Sequence, residues 1–161
     1  GAGDPVKASD VKAAHLERIL DLARPTYDVL VFDLGQAINP ASIMVLDHSD
    51  TIHPVVQLTL PYLRAGRHLM EILHSLGYPA DRMQVLLNQF EKQAAITIRT
   101  MEDNLGARIA HMIPIDARTA REAANQGVPV PQLAPGSAMT RALLQMVDAA
   151  FPAPAKKEGG L

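Results

Sequence analysis

The residues best placed to do chemistry are those that close apolar runs. Tyr27-Asp28-Val29-Leu30-Val31-Phe32-Asp33-Leu34-Gly35 reads as a buried strand that delivers the carboxylate of Asp33 to its tip. Val85-Leu86-Leu87 is followed by the carboxamide of Asn88, and Ile113-Pro114-Ile115 by the carboxylate of Asp116. Chemistry on a phosphate chain needs more than these. A phosphate cradle sets consecutive backbone N–H groups at a helix N-terminus and adds a lysine. No Gly-Lys-Ser/Thr occurs, and none of Lys7, Lys12, Lys92, Lys156 and Lys157 follows a glycine. The chain by itself is therefore expected to show no ATPase activity.

Other chemistries are weaker still. There is no cysteine, which removes disulfides, thiolate metal sites and cysteine nucleophiles. No G-x-S-x-G presents a serine nucleophile. Glu71 and His74 have the E-x-x-H spacing of di-iron bundles, but that chemistry needs carboxylates from further helices, so the pair reads as a solvated helix face. His48, His53, His68 and His111 show no ligand spacing along the chain. Arg118 and Arg121 read as a solvated pair, and the methionines as core filler.

Composition sets the frame. The 161 residues suffice for one domain, with 48% apolar and 20% charged residues. A net charge of −2 provides no field for a phosphate backbone, so nucleic-acid binding is not expected. No apolar run reaches the ~20 residues of a membrane span, so direct membrane insertion is not expected either.

The elements that must position these residues alternate. Ser9 is the expected cap of a first helix carrying Leu16, Ile19, Leu20 and Ala23 on one face, ended by Pro25. Val29 to Phe32 is the first strand. Asn39-Pro40 opens a short helix to about His48. Thr51 to Leu58 is the next strand, with Pro54 confining it to an edge or a bulge. Pro61 opens a helix closed by Gly77 and Pro79. Met83 to Leu87 is a strand, Thr97 to Leu105 a helix ending at Gly106, and Arg108 to Ile113 a fourth strand. Asp116 caps a helix reaching Gln126, where Gly127 supplies a left-handed end. A proline-rich connection follows, and Ser137 caps a last helix carrying Leu143, Leu144 and Val147. Residues 152–161 read as a disordered tail. Strand–helix alternation implies right-handed crossovers and an α/β domain over residues 1–151: a partial doubly wound, mostly parallel sheet with flanking helices. Ligands of such sheets bind beyond the strands' carboxyl ends, so the loops beginning at Asp33, Leu58, Asn88 and Ile113 are the ones to watch.

At those loops the chain resembles the MinD/ParA-type deviant P-loop ATPases. Asp28 to Gly35 resembles their Walker B strand, Val85-Leu86-Leu87-Asn88-Gln89 the strand ending in an adenine-reading asparagine, and Ile113-Pro114-Ile115-Asp116 with Ala123 to Pro129 their I-P-x-D…A…G-x-P segment. Leu63-Arg64-Ala65-Gly66-Arg67 and Leu76-Gly77-Tyr78-Pro79 are most similar to the CpaE/TadZ branch, which serves Flp/Tad pilus assembly and its polar placement. The resemblance implies an incomplete P-loop NTPase-type fold, the C-terminal half of the domain, in a longer parent that binds ATP and Mg²⁺. It implies that Asp33 holds Mg²⁺ through water, that Gly35 lies where a γ-phosphate is sensed, that Asn88 matches the adenine edge, and that Pro114 and Asp116 line the base pocket. From the residues alone, Asn88 reads equally well as a turn residue closing a strand, and Asp33 as a plain loop carboxylate. Two residues depart from the family pattern: Gly35 stands where proline is usual, and His53-Pro54 interrupts a strand that is normally apolar.

In the family's sheet the phosphate-loop strand lies between the Walker B strand and the next in sequence. Its absence here would leave a slot between Val29–Asp33 and Thr51–Leu58. The facing edges would strand several backbone pairs at ~1–3 kcal/mol per buried group, on the order of 10 kcal/mol in all. That rivals a domain's whole stability of ~5–15 kcal/mol, so the slot is expected to be closed: by direct pairing of the two strands, by a strand from another chain, most simply in a homodimer, or by a missing half that lies outside this sequence. The function implied is a nucleotide-dependent dimerisation switch, cytoplasmic and recruited to the inner membrane face at a cell pole, working with the pilus assembly machinery. No cofactor is expected on this chain alone. The alternative is a non-catalytic localisation or scaffold module that kept the fold without nucleotide chemistry; an unrelated small-molecule α/β enzyme is a third reading, weakened by the missing nucleophile–base pair.

Overall fold

The computed structural model describes residues 13–35 and 38–151. The expected cap at Ser9 and the expected tail at 152–161 lie outside the described residues. The chain divides into two compact units, Gly1–Ile52 and His53–Leu161.

In the first unit, α1 (Ala13–Ala23) packs against α2 (Pro40–Asp47). Leu20 is buried, with Leu16 and Ala23 half-buried on the same face, whereas Ile19 is exposed. The α1 stripe is thus narrower than its spacing predicts. Pro25 falls in the turn that ends the helix, and the Arg24 guanidinium donates to the carbonyl of His48 at the far end of α2, 3.2 Å away. Asn39 caps α2 by accepting from the N–H groups of Ala41 and Ser42. The Ser42 hydroxyl accepts in return from the Asn39 N–H at 2.7 Å, a reciprocal capping box with serine in the usual Glu/Gln place.

One expected strand does not form. Val29 to Phe32 takes part in no ladder among the described residues, and Val29 and Val31 are 45% and 90% exposed. The residue types favour a pleated conformation, but a strand exists only through a neighbour's backbone groups, and none among the described residues pairs with this segment.

The second unit contains the sheet. Its strands are β1 (Val55–Val56), β2 (Val85–Phe90) and β3 (Ile109–Pro114), all parallel, in the order β1-β2-β3. The connecting helices are α3 (Leu60–Ser75) and α4 (Ile98–Leu105). After β3 come α5 (Ala117–Gln126), the single turn α6 (Val130–Leu133) inside the expected proline-rich connection, and α7 (Ala138–Ala150). The result is a three-stranded parallel sheet flanked by helices, the α/β class read from the sequence.

β1 is shorter than the Thr51–Leu58 run predicts, for a reason visible at Pro54. That residue gives its carbonyl to the Leu86 N–H at 2.9 Å but has no N–H to return, so regular pairing begins only at Val55. It sits on an edge strand, where this is tolerated. The core lies where α3 and α4 meet the sheet: Val56, Leu73, Val85, Leu87 and Met101 are at most 1% exposed, and Met70 and Leu105 join them. Gly66 permits the approach. A Cβ there would lie 2.9 Å from Leu105 Cδ2 and 3.2 Å from Val56 Cγ1. α7 packs on β3, and its first turn is fixed by Thr140, which donates its buried hydroxyl to the Ala134 carbonyl at 2.7 Å.

Candidate functional site at the strand ends

β2 and β3 run parallel, so their carboxyl ends emerge on the same side of the sheet, and three of the five expected site residues lie there. Pro114 is the last residue of β3, paired in register with Phe90. The Ile115 N–H donates to the Phe90 carbonyl at 3.1 Å, which holds the chain against β2 as it leaves the sheet. Asp116 follows as the N-cap of α5, accepting from the Thr119 N–H at 3.1 Å. The Thr119 hydroxyl and then its backbone N–H stabilise the carboxylate and hold its pKa below the ordinary value, with a smaller contribution from Arg118. Gly127 ends α5 in the left-handed conformation expected of it.

Asn88 stands at a break in the ladder. Leu87 pairs with Met112 and Phe90 with Pro114, so Asn88 and Gln89 together oppose Ile113. This is a bulge, a device that re-aims side chains next to sites. Gln89 has φ +53°, the one non-glycine residue with a left-handed backbone among those described. The Asn88 Oδ1 accepts the Gln89 N–H at 2.9 Å and braces that conformation. Sequence reasoning missed Gln89 because nothing in its type announces a positive φ; only the Asn before it hinted at a turn.

Asp33 and Gly35 belong to the first unit and are joined to each other. Gly35 has φ +63°, and its N–H donates to Asp33 Oδ1 at 3.3 Å. Proline, fixed near φ −65° and lacking an N–H, could make neither the conformation nor the bond. The departure from the family pattern at this position therefore has a local structural cause.

Glu71 pairs with Arg67 at 2.9 Å, and His74 Nδ1 contacts the Met70 carbonyl at 2.7 Å. Arg118 and Arg121 are exposed. Among the described residues no group of three or more His, Cys, Asp or Glu could hold a metal ion, and no helix is long and apolar enough to cross a membrane.

The three-stranded parallel sheet with its flanking helices defines the class as an α/β fold. Comparison with solved structures narrows this to the fold of the ParA and MinD ATPases. A ParA family ATPase from Chlorobium tepidum superposes with a TM-score of 0.84 at 23% identity over 91% of this chain and 61% of its own. The septum site-determining protein MinD from Pyrococcus horikoshii, solved with Mg-ADP, gives 0.76 at 16% identity over 94% of this chain and 62% of its own. A chain of the MinC:MinD cell division protein complex from Aquifex aeolicus gives 0.69 at 16% identity over 88% of this chain and 58% of its own. The chain thus spans about three fifths of the length of these structures. No family profile matches the sequence, and no curated protein matches it.

The residues present fit such a ligand only in part. Asp33 offers hard carboxylate oxygens of the kind Mg²⁺ takes, and Asn88 keeps two amide donors and a second lone pair for a base edge. The phosphates do not fit: the sequence has no Gly-Lys loop to grip them.

Proposed function

We propose that this chain is the adenine- and magnesium-side half of a ParA/MinD-type nucleotide switch, the C-terminal half of such a domain over residues 1–151. The observation that carries the reading is the placement of Asn88, Pro114 and Asp116 at the carboxyl ends of adjacent parallel strands, in a chain that superposes on a ParA family ATPase at a TM-score of 0.84. Asp33 is assigned to Mg²⁺ through water, Gly35 to the γ-phosphate end, Asn88 to the base edge, and Pro114 and Asp116 to the base pocket. The phosphate-gripping strand and loop come from outside this polypeptide, and the unladdered Val29–Phe32 segment is the edge they pair with. The motif wording assigns the parent to the CpaE/TadZ branch: an ATP-binding protein of Flp/Tad pilus assembly and its polar localisation, cytoplasmic, acting by nucleotide-dependent dimerisation with pilus machinery proteins as partners. A parent sequence with a Gly-Lys-Ser/Thr loop upstream, whose deletion abolishes ATP binding, is the expected result; a parent without that loop contradicts it.

A second reading is favoured by a specific observation. Asp33, Asn88 and Asp116 each already have a partner within the chain: the Gly35 N–H, the Gln89 N–H and the cap of α5. Side chains committed in this way suit a scaffold that kept the fold and lost the nucleotide. Nucleotide titration of the parent separates the two readings, since a scaffold's melting temperature does not move with Mg-ATP.

A further inference from the structure

A backbone N–H can donate only to an acceptor. The 2.9 Å contact from the Gln89 N–H therefore identifies the oxygen of the Asn88 carboxamide, Oδ1, and turns it back onto its own chain. The amide nitrogen hangs from the same carbon and is left on the other side. Among the described residues Nδ2 has no hydrogen-bond partner, although Asn88 is half-buried. Two donors at the carboxyl end of β2 are thus held in place by an oxygen that is already engaged.

The turn that engages it is the bulge. In an unbroken ladder Gln89, not Phe90, would oppose Pro114. The extra residue instead sets Phe90 against Pro114, and the Phe90 carbonyl takes the Ile115 N–H at 3.1 Å. That bond fixes the segment bearing Pro114 and Asp116 beside the end of β2. Gln89 absorbs the irregularity at φ +53°, a region sparsely used by residues other than glycine. Its side chain is exposed and forms no hydrogen bond among the described residues, so its backbone is what the bulge uses. Backbone of this kind persists where its surroundings hold it, and it collects at ligand sites.

Resting on the base-edge reading of this site, we propose that the Asn88 carboxamide divides its two ends, with Gln89 as the positioning residue. Oδ1 locks the left-handed turn of Gln89, and the NH2 aimed by that lock selects a nucleobase edge that leads with an acceptor, a ring nitrogen or a carbonyl oxygen. Gln89 acts through its backbone alone. An aspartate at position 88 keeps the lock, since a carboxylate oxygen accepts the same N–H, but presents no donor to a base. Valine at position 89 keeps the donor and loses the aim, because a β-branched residue is a poor occupant of positive φ. Glycine there keeps both.

Adenosine titration of the isotope-labelled full chain at pH 7 tests this, with urea midpoints read in parallel. The nucleoside is the probe because the sequence has no phosphate grip. In the unmutated chain the Asn88 side-chain amide signals are expected to move together with the backbone amides of Ile115 and Asp116. Asn88→Asp is expected to keep the urea midpoint and to weaken adenosine binding roughly tenfold, the loss of one good hydrogen bond. Gln89→Gly is expected to hold the affinity within about twofold, and Gln89→Val to weaken it roughly tenfold. Asn88→Asp decides the matter even if Gln89→Val does not fold. No movement at any of these signals in the unmutated chain ends the base-edge reading and this inference with it. Movement there, with affinity kept in Asn88→Asp or lost in folded Gln89→Gly, overturns this inference and leaves the base-edge reading standing.

Discussion

Gly35 donates its N–H to the carboxylate of Asp33 at 3.3 Å from a left-handed backbone, φ +63°. Nothing lies within 4 Å of a Cβ built at Gly35, so the cost of a side chain there is conformational and not steric crowding. Gly35→Ala is expected to destabilise the chain by about 1 kcal/mol in urea unfolding, the order of a single L-residue forced into that region. Gly35→Pro loses the bond as well and is expected to cost more; an unchanged midpoint in both variants contradicts the turn.

Gln89 pays a conformational penalty of the same kind in the bulge of β2. Glycine removes the penalty and loses some chain entropy in exchange, so Gln89→Gly is expected to stabilise by ~0.5–1 kcal/mol. Asn88→Ala removes the brace on that backbone and is expected to destabilise. Both are read from urea midpoints, and a destabilised Gln89→Gly would show that the side chain makes a contribution larger than its backbone cost.

Asp116 links stability to pH. Its pKa in the folded chain lies below that of the unfolded chain because Thr119 binds the ionised form. Its contribution is therefore complete above the unfolded carboxylate pKa and is lost as pH falls through the lower folded value. Asp116→Ala is expected to lower the melting temperature at pH 7, and the gap to the unmutated chain should close as the solution becomes acidic. A gap independent of pH contradicts the cap.

The packing of α3 and α4 on the sheet puts Leu87 at 0% exposure in the central strand. Leu87→Ala is expected to cost ~2–5 kcal/mol by transfer and cavity terms, measured by urea unfolding. A loss below 1 kcal/mol would place this strand outside the core.

The elements most legible in the sequence were those whose signals are local. Asn39-Pro40, Thr97, Asp116 and Ser137 each start a helix where their side chains suit a cap, and Gly106 and Gly127 end theirs with positive φ. The central strands were legible because apolar runs flanked by caps leave few alternatives. Val29–Phe32 was not, since its composition states that it can pair but cannot state with what. β1 shrank because Pro54 lacks one hydrogen, a flaw the sequence showed without fixing its extent. At the site, the gathering of Asn88, Pro114 and Asp116 followed from strand ends and motif order. The bulge at Asn88-Gln89 did not, because it depends on inter-strand register.

The central claim is that this chain carries the base and magnesium side of a nucleotide switch without its phosphate grip. Phosphate release from Mg-ATP by the purified chain, compared with Asp33→Ala, tests it most directly. The account predicts no release above background from either protein. Turnover by the unmutated chain that disappears in Asp33→Ala would contradict it.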